Sequence, residues 1–359
     1  MKKGNKPDEK VFLTALLTIA SILICINVLS GMTIAKTKVT LVDSAGREVT
    51  IPYPVERIIV TDDTVADVVR LFGRQRCVVG IEESIPRRGY FPEMSNKVVT
   101  GNQWRGLNWE KVLQLKPDVI LMSDHPACTS RLTRQASRFN IPVLVLRWRF
   151  PKGQDETVRI LGKAFGEEQR AREFIEWKKD KLRIVREKVK SLKAGEKLKA
   201  YLEVAFSGPV GRAAGRGKPA GQVMEMAGLR NICEFQKNKE VSAEWIIEKN
   251  PDIIIMCDYA GGAGGITGYL ATDTSRIVKY IEEIKRLPRF KRTNAVKENN
   301  VYVMNTKLRG SMYLIGILYL AKAAYPEIFR DIDPKGVLRE FFEKWMNVKY
   351  QGIWFYPEP

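Results

Sequence analysis

Histidine is almost absent from this chain, because His125 is the only one among 359 residues. A bare zinc or manganese ion is held by several histidine and carboxylate side chains that converge on one point. One histidine cannot complete such a set, so we expect neither a naked-ion site nor a resident metal cofactor. His125 directly follows a predicted strand, where we expect it to cap the next helix; ligation of a haem iron is the alternative.

The five cysteines are also few and scattered. They form no CxxC motif and no Cys/His cluster, which argues against a structural zinc site. Cys77 and Cys257 lie in apolar, strand-like runs and are expected to be packed thiols. Cys128 and Cys233 are compatible with a disulfide, which the sequence alone does not establish.

Sequence motifs of nucleotide binding and of acyl hydrolysis are missing. Neither GxGxxG nor GxxxxGK[ST] occurs, so the glycine-rich segment 261–265 is a weak signal for phosphate binding. No nucleophile elbow is present. We therefore expect a protein that binds without catalysing a reaction, and we assign no catalytic residue.

Positive charge, in contrast, is abundant. The chain has 60 lysines and arginines against 41 acidic residues, a formal net charge of +19. Such a charge favours anionic partners: a negatively charged ligand, an acidic envelope surface or nucleic acid. Nucleic acid is the weakest of these, because the basic residues are dispersed and form no recognition motif. A basic surface without a specific partner is an equally good interpretation.

The first 37 residues differ from the rest. Four lysines, at positions 2, 3, 6 and 10, precede an uncharged run from Val11 to Ala35. The run is long enough for a spanning helix of about 20 residues, and the charges place the N-terminus in the cytoplasm. Residues 1–37 are therefore expected to be a membrane anchor or a signal peptide cleaved after Ala35, two alternatives that stay open. In both, the body is exported; lipidation of Cys25 is disfavoured because the bulky Ile24 precedes it.

The body alternates strand and helix patterns. Its strands, such as "DVILM" and "DIIIM", are continuously apolar, which is typical of parallel sheets covered on both faces. Segment 153–194 has no strand signal, and its apolar spacing predicts one helix of about 40 Å over residues 167–194. We favour a strut between two lobes over a helical hairpin packed on one of them. The predicted division is a first α/β lobe at 38–150, a connecting helix at 151–195, a second α/β lobe at 196–347 and a tail at 348–359.

One unit occurs twice. "WEKVLQLKPDVILMSD" (109–124) and "AEWIIEKNPDIIIMCD" (243–258) align at an offset of 134 residues, which pairs Glu110 with Glu244 and Asp118 with Asp252. Each unit reads as a short helix, a proline stop and a buried strand. A glutamate in the first turn is favoured by the helix dipole, and an aspartate after proline caps or turns the chain.

These features resemble a known family. Two exported α/β lobes, one long connecting helix, and the pair "LNWEKVLQLKPDVILMSD" and "VSAEWIIEKNPDIIIMCD" are similar to the substrate-binding proteins of ABC importers for iron complexes and cobalamin. The C-terminal "YLAKAAYPEIFRDIDPKGVLREFFEKW" adds to this resemblance, which covers residues 38–347. It implies two Rossmann-like lobes with parallel sheets, a ligand cleft between them, and a permease dimer with a cytoplasmic ATPase as partner.

The resemblance also implies roles for particular residues. In that family a surface glutamate on each lobe docks onto arginines of the permease, and Glu110 and Glu244 match these positions. An organic or chelated ligand needs aromatic walls and a few charged groups, and segments expected at the cleft supply them. The candidate walls are Tyr90, Trp104, Trp148 and Tyr259, and the candidate anion clamps are Arg105, Arg149, Arg212 and Arg309.

The predicted ligand is an anionic metal chelate, a ferric siderophore in the first place. Haem and cobalamin are alternatives within the same family. An extracytoplasmic enzyme resembling metal chelatases is an alternative of another class, as is a sensor or scaffold that has lost transport. The sequence does not fix the identity of the ligand.

Overall fold

The computed structural model describes residues 36–204, 211–258 and 265–359. Lys38–Pro359 form one compact unit. The predicted anchor or signal peptide falls almost entirely outside these ranges. Among the helices within them, none has both the length and the apolar character needed to cross a membrane.

The first lobe is built on a five-stranded sheet. Its strand order is β5-β4-β3-β8-β9, and all neighbours are parallel. The hairpin predicted at the start of the body is β1-β2, which turns at Gly46 with a φ of 76°. The elements are β1 Thr37–Val42, β2 Glu48–Tyr53, β3 Ile58–Val60, α1 Asp63–Leu71, β4 Val78–Ile81, β5 Val98–Val99, β6 Gly101–Asn102, β7 Gly106–Leu107, α2 Trp109–Leu115, β8 Val119–Ser123, α3 Pro126–Ser137 and β9 Val143–Leu146.

Two helices follow the first sheet: α4 Gln154–Phe165 and α5 Glu168–Lys190. Gly166, with a φ of 69°, separates them. Near its start α5 is held by Arg170, which donates to the carbonyl of Leu71 at the end of α1. Its 23 residues span about 34 Å.

The second lobe is built on a larger, mixed sheet. Its strand order is β13-β11-β10-β14-β15-β16, with β12 beside β10. The central strands are parallel, and three antiparallel pairs flank them: β10-β11, β11-β13 and β15-β16. The elements are β10 Lys199–Glu203, β11 Arg212–Ala213, α6 Pro219–Met226, β12 Arg230–Asn231, β13 Lys239–Glu240, α7 Ala243–Lys249, β14 Ile253–Asp258, α8 Ser275–Arg286, α9 Asn294–Lys297, β15 Val301–Asn305, α10 Tyr313–Ala324, α11 Pro334–Glu340 and β16 Phe355–Tyr356.

The end of α5 packs against this second part of the chain. Lys188 Nζ lies 2.7 Å from Asp331 Oδ1, and Val189 lies against Gly228. Thus α5 contacts both lobes, as expected of a strut. The segment predicted as a tail contributes β16 to the second sheet. The exact division of the chain into domains stays a prediction.

The repeated unit has the same local geometry in both copies. Asn108 and Ser242 cap α2 and α7 by accepting from the backbone N–H three residues later, at 3.0 and 3.2 Å. Lys116 and Asn250 then end the helices in the left-handed region, with φ values of 44° and 43°. Each unit then enters an interior strand of its sheet, β8 or β14. The short-range signals of the sequence therefore produce two matching helix-to-strand units.

The aspartates after the prolines tie each unit to a neighbouring strand. Asp118 Oδ2 accepts from the backbone N–H groups of Glu56 and Arg57, both at 2.9 Å. Asp252 Oδ2 accepts from the backbone N–H of Lys199, also at 2.9 Å. These bonds confirm the structural role predicted for the two aspartates.

Replacing Asp118 with alanine is expected to lower the free energy of unfolding by about 1–2 kcal/mol, because two backbone N–H groups lose their acceptor. Urea denaturation measures the change. Asp180→Ala, at an exposed position on α5, is the control and is expected to change stability by less than about 0.5 kcal/mol. Equal stabilities of the two variants would contradict the assigned role.

Candidate ligand-binding site

A buried ion cluster joins the two lobes. Lys307 lies on the helical turn Thr306–Arg309, directly after β15, and its side chain is 4% exposed. Its ammonium lies 2.9 Å from Asp63 Oδ2 and 2.7 Å from Asp67 Oδ2, both on α1 of the first lobe. One cation of the second lobe therefore neutralises two buried carboxylates of the first.

Two further side chains complete this cluster. Tyr90 donates its hydroxyl to Asp67 Oδ1 at 2.9 Å, and Arg88 Nη2 lies 2.8 Å from Asp63 Oδ2. Burial by itself would raise the pKa of Asp63, but the cations of Lys307 and Arg88 hold that pKa well below its usual range. Burial would lower the pKa of Lys307, and Asp63 and Asp67 raise it instead. The charged forms of Asp63 and Lys307 stabilise each other.

The cluster forms one wall of a cavity of about 240 Å³ that both lobes line. The second lobe adds the loop 265–273, Asn305 and Trp354. Asn305 Nδ2 donates to Thr267 Oγ1 at 3.0 Å. The lining residues follow the carboxyl ends of β4, β14 and β15, the edge where open α/β sheets place their ligands. The cavity combines cations, hydrogen-bonding groups and aromatic rings.

The aromatic part of this cavity is centred on Tyr90. Its ring centroid lies 5.6 Å from that of Tyr269 and 6.3 Å from that of Trp354. Tyr90 is itself 2% exposed, so it supports the wall and presents little surface. Of the predicted ligand-binding residues, it is the one that lines this cavity.

A second group of predicted residues lies around His125, which follows β8. Trp104, 44% exposed, meets the His125 ring edge-on with centroids 4.4 Å apart. Arg149 Nη1 lies 3.6 Å from Asp62 Oδ2. The expected cap by His125 is wrong, because its side chain makes no capping hydrogen bond to α3; the ring packs against Trp104 instead.

The pKa of His125 reports the electrostatic potential at this place. Burial lowers it, and the nearby cations of Arg149 and Lys218 lower it further, while Asp124 acts in the opposite direction with a smaller effect. Arg149 belongs to the first lobe and Lys218 to the second. Cations of both lobes therefore lie near His125 and disfavour its protonated form.

The remaining predicted residues do not converge on one point. Trp148 has no exposed surface and packs in the core, 6.1 Å from the Phe174 ring centroid, so its ring does not line the cleft here. Arg105 is largely exposed, with Nη1 3.6 Å from Glu83. Arg212 is exposed on β11, Arg309 lies beside Cys257, and Tyr259 falls outside the described residues.

The sequence predicted segments that do lie at the cavity, but within them it often predicted the wrong residues as ligand contacts. Tyr90 and Arg309 were predicted at the cleft, whereas Arg88 and Lys307, two residues before each of them in the chain, carry the charge at the cavity. The position of Lys307 directly after a predicted strand was a usable signal. No sequence signal marked Tyr269 or Trp354.

The described part of the chain has neither a candidate metal site nor a disulfide. Within residues 36–204, 211–258 and 265–359, no group of three or more His, Cys, Asp or Glu side chains is placed to hold a metal ion. Cys128 and Cys233 are free thiols in separate clusters of the core, so they do not form a disulfide here.

Residues 58–308 match the periplasmic binding protein family, and the chain belongs to this family. Its structure is similar to FepB, a TroA-like periplasmic binding protein from Veillonella parvula, with 25% identity and a TM-score of 0.76 over 88% of this chain and 99% of that one. The predicted family and the predicted fold of two α/β lobes are both confirmed.

Two further relatives have names that describe them as binding proteins. The molybdate-binding protein MolA from Haemophilus influenzae is 22% identical over 345 residues, which cover 87% of this chain and 92% of MolA. Its molybdate-bound structure superimposes with a TM-score of 0.72 and covers 88% of this chain and 99% of that one. An ABC transporter substrate-binding lipoprotein of Bacillus subtilis, YvrC, is 22% identical over 299 residues, 82% of this chain and 87% of YvrC. The protein is thus a substrate-binding protein of the ABC importer type, a class found outside the cytoplasm.

Replacing Lys307 with methionine is expected to lower the free energy of unfolding by about 3–5 kcal/mol, because the buried carboxylate of Asp67 loses its counter-ion and Asp63 keeps only Arg88. Urea denaturation measures the loss. Lys181→Met is the control: its partly exposed ion pair, 3.4 Å from Glu340, is expected to be worth less than about 1 kcal/mol. A loss no larger than the control's would contradict the ion cluster as the joint between the lobes.

Proposed function

We propose that the protein captures an anionic metal species outside the cytoplasm, a ferric siderophore or similar ferric chelate in the first place, and delivers it to an ABC permease. The observation that carries this proposal is the set of cationic side chains that both lobes place at the cleft. Arg88 and Lys307 line the cavity, and Arg149 and Lys218 act on His125 from opposite lobes. An anion is attracted by such a surface, and arginine is suited to carboxylate or oxyanion groups.

A chelated metal fits better than a bare ion. A ligand that brings its own donor atoms needs no metal-binding cluster from the protein, and the described residues offer none. Its organic part is matched by the rings of Tyr269 and Trp354 in the cavity and by the exposed Trp104. This combination of aromatic surface and a few charged groups is typical of small-molecule sites.

A metal oxyanion is the second candidate. The cavity of about 240 Å³ is slightly smaller than most drug-sized ligand pockets, which begin at about 300 Å³. MolA, a relative aligned over most of both chains, binds molybdate. Haem and cobalamin are further alternatives within the same family.

Fluorescence titration of the body, residues 38–359, distinguishes these ligands. We expect a ferric siderophore, another ferric chelate or molybdate to change tryptophan emission at micromolar or lower concentration, and haem and cobalamin to bind more weakly. Trp104→Phe is the control that separates a signal at the rim from one at Trp354. If no member of this panel binds at micromolar concentration, the proposed ligand class is refuted.

The proposed partner is a permease dimer with its cytoplasmic ATPase. Glu110 and Glu244 are both exposed in the first turn of equivalent helices, α2 and α7. The pKa of Glu244 is lowered by its own backbone N–H and by the capping residue Ser242, so it is an anion at neutral pH. Two equivalent carboxylates suit a partner that offers two equivalent basic sites.

Reversing both charges, Glu110→Arg with Glu244→Arg, is expected to abolish uptake of the labelled metal while ligand affinity in solution stays unchanged. Uptake is measured in source cells that lack the native gene and express the variant. Glu176→Arg with Glu187→Arg, two exposed positions on α5, is the control and is expected to leave uptake intact. Normal uptake by the first variant would rule out docking through these glutamates.

The N-terminal segment is proposed to keep this receptor at the outer face of the cell membrane or to direct its release there. Its lysines followed by an uncharged run support this placement. Cleavage after Ala35 and retention as an anchor predict different masses for the mature protein.

A further inference from the structure

Two exposed aliphatic side chains occupy equivalent positions on the two lobes. Leu113 on α2 and Ile247 on α7 are related by the same offset of 134 residues that relates Glu110 to Glu244. Each has 41% of its surface exposed. Each follows its glutamate by three residues.

Packing within the protein does not explain this pair. The buried residue of α2 is Val112 and that of α7 is Ile246, one position earlier in each helix. These two side chains attach the helices to their sheets. Single exposed aliphatic residues are ordinary on protein surfaces, but the same exposure at the same position of both copies has no internal cause.

The helical spacing puts each aliphatic residue beside a glutamate. Side chains three positions apart on a helix lie on one face, with Cβ atoms about 5–6 Å apart. Each lobe therefore presents a carboxylate next to an apolar side chain, Glu110 with Leu113 and Glu244 with Ile247. We call these two pairs the docking pairs.

We propose that Leu113 and Ile247 are apolar contacts of the permease-docking surface, one on each lobe. The proposal rests on the proposed function. It requires a partner with two equivalent sites, each with a cation next to an apolar surface, as a twofold-symmetric permease offers. The carboxylate supplies an attraction that salt weakens, and the aliphatic side chain supplies one that salt leaves unchanged.

The test measures uptake as a function of added protein. Spheroplasts are prepared from cells that lack the native gene. They are supplied with the purified body, residues 38–359, which has been loaded with the ferric chelate or with molybdate, whichever binds to it. The concentration giving half-maximal uptake reports the affinity for the permease. Leu113→Ser with Ile247→Ser is expected to raise this concentration about 30- to 100-fold, from roughly 5- to 10-fold per buried aliphatic residue.

Two matched variants make the result specific. Val42→Ser with Val278→Ser removes two aliphatic side chains that are 56% and 41% exposed outside the docking pairs, and is expected to leave half-maximal uptake unchanged. Glu110→Gln with Glu244→Gln is expected to weaken docking most at low ionic strength, whereas the serine variant loses the same factor at low and high ionic strength.

The possible outcomes distinguish a failure of this inference from a failure of the proposed docking through the glutamates. All variants must keep wild-type ligand affinity and thermal stability, which excludes misfolding as the cause. If the glutamine variant weakens uptake and the serine variant does not, the apolar contact is refuted and docking through the glutamates stands. If neither variant changes uptake, docking through this surface is refuted altogether.

Discussion

A buried ammonium group links the two lobes. Lys307 comes from the second lobe, and its two counter-ions, Asp63 and Asp67, come from a single helix of the first. Lys307 and Asp67 are buried and Asp63 is largely buried, so a shift between the lobes would separate charges where little water can replace the lost partner. Breaking a buried pair in this way costs several kcal/mol. We therefore expect this ion cluster to restrict the orientation of the two lobes relative to each other.

A set of buried hydrogen bonds also joins the two lobes. Gln154, at the start of α4, donates its amide to the carbonyls of Trp148 and Ser311, at 3.2 and 2.9 Å. Lys178 of α5 donates in turn to Gln154 at 3.2 Å. The start of α4, the long helix and the second lobe are thus joined by buried hydrogen bonds as well as by charge.

A fixed orientation has consequences for both proposed functions. The cavity lined by Arg88 and Asn305 is formed by both lobes, so its shape is present before a ligand enters. The docking pairs sit on opposite lobes, so we expect their separation to change little as well. A permease with two equivalent sites can then recognise the protein by that separation, and little binding energy is lost in ordering it.

The sequence predicts local features well and distant ones poorly. The repeated units were predictable because Asn108, Ser242 and the Pro-Asp pairs act within a few residues of their own positions. The pairing of Lys307 with the carboxylates of α1 was not, because these partners are about 240 residues away and no local pattern links them. Trp148 had the right residue type and position for a cleft wall, but tertiary packing buried it against Phe174. Strand β16 escaped notice because two residues at the end of the chain carry no periodic pattern.

The distance between the lobes, with and without ligand, tests the fixed orientation most directly. Spin labels at Gln114→Cys and Glu248→Cys, equivalent exposed positions on α2 and α7, report it in a Cys77→Ser background. Double electron–electron resonance is expected to give one narrow distance distribution whose mean changes by less than about 2 Å when the ferric chelate or molybdate binds. A shift well beyond that, or two separate distances in the free protein, would contradict the ion cluster as the element that fixes the lobes.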